Sequence, residues 1–112
     1  MVSTTTLKNA ARAIGYDLWS DPDGSHYLVD YDGVKLKRWE PEHDSSDSFE
    51  LAVALGITVE FGHCTVATYK GYAETENMIH AHGYERHDRS ELVRFAIVNA
   101  AASIGGALLC QS

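Results

Sequence analysis

Alternating runs joined by tight-turn dipeptides, and apolar stripes of helical period at both ends, predict an α+β fold with an antiparallel sheet. Asp32-Gly33 and Gly62-His63 each separate two runs of period two. Leu7, Ala10, Ala11 and Ile14 near the start, and the stretch from Leu92 to Ile104 near the end, supply the helices. The expected order is αβββαββα, with about five strands.

The first helix is expected from Thr4 or Thr5 to Ile14. Threonines offer N-cap oxygens there, and Gly15 suits the left-handed position beyond the last turn. Strands follow at 16–20, 26–31 and 34–39. Asp21-Pro22-Asp23-Gly24 is a turn in which Pro presets φ and Gly accepts a positive one. Asp32-Gly33 predicts a two-residue hairpin that sets Tyr31 opposite Val34 and Asp30 opposite Lys35. In that register Lys35, Lys37 and Trp39 share one face with His26 and Leu28, while Tyr27, Val29 and Leu36 share the other.

Glu40-Pro41 ends this meander, because proline cannot donate to a sheet ladder. An acidic, Ser-rich loop leads into a helix capped at Ser46 or Asp47 and closed by Gly56. A second hairpin, 57–61 with 64–69, is expected to turn on Gly62-His63 as type II′. It places Ile57, Val59, Phe61, Cys64, Val66 and Thr68 on one face. Residues 70–87 show no sustained period, apart from a short helix expected near Glu74 to His80. The last helix begins at Asp88, with Glu91 three residues on, and is expected to stop at Gly105-Gly106. It is apolar almost all round, which marks an element covered on more than one side.

At 112 residues, one domain spanning 1–112 is expected. Nine Lys and Arg against 16 Asp and Glu leave a net charge of −7. With no basic tract, binding to nucleic-acid backbones is disfavoured. The acids are scattered through turns and caps, and the one compact run, Glu40 to Asp47, reads as a solubilising loop. No stretch approaches the ~20 apolar residues of a membrane span, and the N-terminus lacks the apolar core of a signal peptide. With Cys64 and Cys110 as lone thiols, a cytoplasmic protein is expected.

Two stretches carry a likeness to a known family. Trp39-Glu40-Pro41 with the acidic run and Leu51-Ala52-Val53-Ala54-Leu55-Gly56-Ile57 resembles the small phage and prophage proteins of the phage ABA sandwich family. The stretch from Arg94 to Gly105 is similar to that family's closing helix. The resemblance implies an α/β/α sandwich and a phage or prophage origin. It brings no activity and no functional residues, because every matching residue is a core, cap or turn residue.

The candidate chemistry is sparse. His80 and His82, followed by Glu85, His87 and Asp88, form the densest set of potential metal ligands, yet their spacing matches no closed site. Cys64 lies beside His63, but neighbours on a strand point to opposite faces, so an inert core thiol is expected. Lys35, Lys37 and Trp39 on one strand face offer charge and a stacking surface to an anionic or nucleotide-like ligand. The alternative is the solvated side of a hairpin. Trp19, Trp39, Tyr72 and Tyr84 offer a protein-binding patch, with Arg86 in the same irregular segment.

No catalytic constellation and no cofactor motif is recognisable. The expected function is non-catalytic binding, sequestration or inhibition of a host protein or small molecule, with the oligomeric state, homodimer included, left open. A small metal-dependent enzyme using His80, His82 and His87, or a minor phage structural or assembly protein, are the competing readings.

Overall fold

A helix capped by a serine opens the chain in the computed structural model, which describes residues 3–30, 32–62, 65–70, 79–82 and 89–110. Helix α1 spans Thr4–Ala13, and Ser3 rather than a threonine caps it, its Oγ accepting from the Thr6 amide at 3.1 Å. The helix ends as expected. Gly15 takes φ +85°, and the amides of Gly15 and Tyr16 donate to the carbonyls of Arg12 and Ala11.

Strands β1 (Asp17–Ser20), β2 (His26–Val29) and β3 (Lys35–Arg38) then form an antiparallel sheet in the order β1-β2-β3. The register of β2 and β3 differs from expectation close to the turn. His26, Tyr27 and Leu28 do face Trp39, Arg38 and Lys37. Nearer the turn, Val29 faces Lys35, and the Asp30 amide donates to the Val34 carbonyl. A bulge at Leu36 absorbs the one-residue difference.

The cause is the Asp30 side chain. Its Oδ1 accepts from the amides of Asp32 and Val34, which closes a three-residue loop with Gly33 at φ +83°. The loop at Asp21 is built alike, with Gly24 at φ +92° and the Asp21 amide donating to the Ser25 carbonyl. Both share the sequence Asp-x-Asp-Gly.

Helix α2 covers Ser45–Leu55, and its N-cap is Asp44, not Ser46 or Asp47. One Asp44 carboxylate oxygen accepts from the Ser46 and Asp47 amides at 2.8 and 3.1 Å. Gly56 closes the helix in the left-handed conformation.

Strands β4 (Ile57–Gly62), β5 (Thr65–Lys70) and β6 (Ile79–His82) form a second antiparallel sheet, ordered β4-β5-β6. The expected single sheet of about five strands is therefore corrected to two sheets of three, among the described residues. The sixth strand lies inside the segment read as irregular, and its first residues replace the end of the helix expected near Glu74 to His80. Four residues carry too short a period to declare a strand. Gly62 pairs with Thr65, which moves the second hairpin two residues beyond the expected register. Gly62 is a paired strand residue rather than the first residue of the turn. A two-residue slip preserves the face of every strand position, so the alternation was uninformative about it.

Helix α3 runs from Arg89 to Cys110, through the two glycines expected to stop it. Gly105 is there for closeness: a Cβ on it would overlap the Asn9 carbonyl oxygen of α1. Alanines 10, 11, 100 and 101 are fully buried in the same cluster. Helix α3 also packs against α2 and all three strands of the second sheet. One apolar core gathers Leu7, Leu18, Leu28, Trp39, Leu51 and Ile97 from both halves of the chain.

Candidate functional site

The strand face expected to carry Lys35, Lys37 and Trp39 together is divided by the bulge. Trp39 is 1 % exposed and belongs to the core, where an indole has no room to stack on a ligand. Lys37 reaches α2, pairing with Glu50 at 2.6 Å and Asp47 at 3.3 Å. The Glu50 hydrogen bond, aided by Asp47 and opposed by partial burial, raises its pKa above the ordinary lysine value. Lys35 lies on the other face of the sheet, 4.8 Å from the Tyr27 ring centre and 5.3 Å from that of Trp19. Asp21 accepts from the Trp19 indole at 2.7 Å and pairs with Lys35 at 3.4 Å. The expected Asp30–Lys35 pair is replaced by this one. The anion-binding reading of the three residues is therefore corrected: each is engaged, and in three different places.

The expected aromatic patch is divided as well, since Trp19 is half-exposed while Trp39 is buried. His80 and His82 occupy alternate positions of β6, opposite Ala67 and Thr65. Tyr72, Tyr84, Glu85, Arg86, His87, Asp88 and Cys64 lie outside the described residues, so of the proposed metal set only His80 and His82 are placed. Among the described residues no group of three or more His, Cys, Asp or Glu is placed to hold a metal ion. Among them also, no helix is long and apolar enough to cross a membrane.

A groove of about 880 Å³ lies elsewhere, between α2, β4 and α3. Its existence follows from α2, which is apolar on two sides. Ser48, Leu51, Ala52 and Leu55 are buried, while Phe49 and Val53, one turn apart, are 68 % and 63 % exposed. Ile57 and Val59 of β4 and Val93 and Ile97 of α3 continue the apolar wall. Among the described residues Arg94 is the one charged side chain lining it. Its Nε and Nη1 donate to the Glu42 carbonyl and to Ser45 Oγ, both at 3.1 Å, so the guanidinium is held in place at the lip.

Sequence reasoning missed this groove. Its signal was present in the run Phe49, Leu51, Ala52, Val53, Leu55, which gives an 11-residue helix two apolar stripes where one suffices for a core. The acidic loop was also misread in part. Asp44 caps α2, Asp47 accepts from the Glu40 amide at 2.9 Å, and Glu42 is buried rather than solvating. Comparison with known proteins finds no matching family model, no matching curated protein and no matching solved structure.

Proposed function

We propose that this chain is a small phage- or prophage-type protein that works by non-catalytic binding, holding an amphipathic acid in the groove between α2, β4 and α3. The single observation behind this reading is the groove itself. A concavity of about 880 Å³ with apolar walls and one anchored cation matches the usual make-up of small-molecule sites, in which few polar groups orient a largely apolar ligand. The tail would lie along Phe49, Val53, Val59 and Ile97, and the acid would meet the Arg94 guanidinium, whose N–H groups beyond those two contacts, one on Nη1 and two on Nη2, suit a carboxylate. The phage origin, the sandwich layering and the cytoplasmic location rest on the family resemblance and on composition.

Calorimetric titration with decanoate and with decanol tests the reading. Decanoate is expected to bind saturably, and decanol about tenfold or more weaker, for loss of the charge-assisted contact. Val53→Asp places a carboxylate against the ligand tail at an exposed position. It should abolish decanoate binding while leaving the melting temperature unchanged. Absence of saturable binding, or equal binding by V53D, removes the proposal.

A further inference from the structure

A second, smaller cavity of about 230 Å³ opens beside Glu42, lined by Leu7, Gly24, His26, Glu40, Glu42, His43 and Phe95. Glu42 is 5 % exposed, and among the described residues neither carboxylate oxygen has a hydrogen-bond partner. Buried polar groups are almost always paired, because leaving one unpaired forfeits its hydration with nothing in return. A buried, unpartnered carboxylate in a residue that lines a cavity is the complement of a cation bound there.

We propose that this cavity binds a small organic cation, a primary ammonium or guanidinium group, with Glu42 as its counter-ion. Glu40 also lines the cavity, but its carboxylate pairs with Arg38 at 3.3 Å, so Glu42 is the acid that needs a counter-ion. Two further features favour that chemistry. His26 lines the same cavity with its Nδ1 2.9 Å from Ser20 Oγ, and in the tautomer that donates this hydrogen to Ser20 its Nε2 is an acceptor for a ligand N–H. Leu7 and the Phe95 ring supply an apolar wall, and an aromatic face attracts a cation. At ~30 Å³ per water-sized group, the volume holds roughly eight non-hydrogen atoms, the size of an alkylamine or agmatine and far below that of a nucleotide.

This site is independent of the apolar groove: the two have no lining residue in common. Calorimetric titration of the full chain with butylamine, agmatine and zinc chloride tests it. Butylamine or agmatine is expected to bind saturably, and Glu42→Gln to weaken that binding by about tenfold or more. V53D, which disables the groove, should leave it unchanged. Circular dichroism of E42Q establishes that the variant is folded, and Phe95→Leu, which keeps the apolar wall but removes the ring, provides a second test by weakening the amines alone. Equal amine binding by wild type and E42Q, absence of amine binding at millimolar concentrations, or stoichiometric zinc binding in place of the amines would each overturn the assignment.

Discussion

Glu42 shows how far the surroundings of one residue can depart from its type. In the sequence it stands among Glu40, Asp44 and Asp47, and an acidic loop is ordinarily a wet one. In the fold it is buried, and that burial raises its carboxyl pKa above 4.5, against the opposing charges of His43 and His26. The folded pKa therefore exceeds the unfolded one, and the ionised carboxylate disfavours the fold. Stability should rise as the pH drops through the raised pKa toward 4.5, and fall as the pH climbs back. In the ligand-free protein, Glu42→Gln removes the buried charge. It should stabilise the chain at neutral pH, by an amount of order 1–3 kcal/mol, and the difference should vanish below pH 4.5. Urea titrations at neutral and acid pH decide this, and a less stable E42Q at neutral pH would mean the carboxylate has a stabilising partner. Lys35, Lys37 and Trp39 teach the same lesson from the opposite side. Period two assigns them one face, but the bulge at Leu36 puts Lys35 on the other, and no side-chain pattern announced the bulge.

At the scale of elements, ends were legible where a backbone requirement singled out one residue type. Gly15 and Gly56 close their helices as expected, since both adopt the positive φ that other residues avoid. Gly105 and Gly106 looked like the same signal and are not. A helix-stopping glycine and a close-packing glycine are indistinguishable in one sequence, because the second is defined by a backbone from another element, here that of Asn9. The two glycines should respond with opposite signs. Gly105→Ala drives its methyl into the Asn9 carbonyl oxygen and should cost about 1–3 kcal/mol or more, since backbone must move. Gly106→Ala meets only the Asn9 side chain, at an ordinary 3.8 Å, and should gain roughly 0.5–1 kcal/mol from helix propensity. Thermal melts of the pair measure both. Equal and small effects would show that α1 and α3 do not approach this closely. The loop after Asp30 carries a related lesson, for Asp32-Gly33 alone suggested a two-residue turn, whereas the Asp30 carboxylate makes it three.

At the scale of the whole molecule, the described residues form two three-stranded sheets that share no ladder, so helices and side chains must join them. Helix α1 packs on β1 and on α3, and α3 packs on the second sheet, which makes α1 and α3 the bridge between halves. Trp39 reinforces it, standing just beyond β3 within the cluster that also holds Leu51 of α2 and Ile97 of α3. A chain held in this way should unfold as one unit, because neither sheet retains a buried face without the helices. The two tryptophans make this measurable, since Trp19 is half-exposed and Trp39 is buried. In Trp19→Phe, the remaining fluorescence should be blue-shifted and its denaturation curve should coincide with the loss of far-ultraviolet dichroism. Separate midpoints would mean that the halves unfold independently. Trp39→Ala should remove about 3–5 kcal/mol, a large share of the roughly 5–15 kcal/mol that holds a domain together. It should lower both sheets' stability together, not that of the first sheet alone, as hydrogen-exchange protection in β2 and β4 would register.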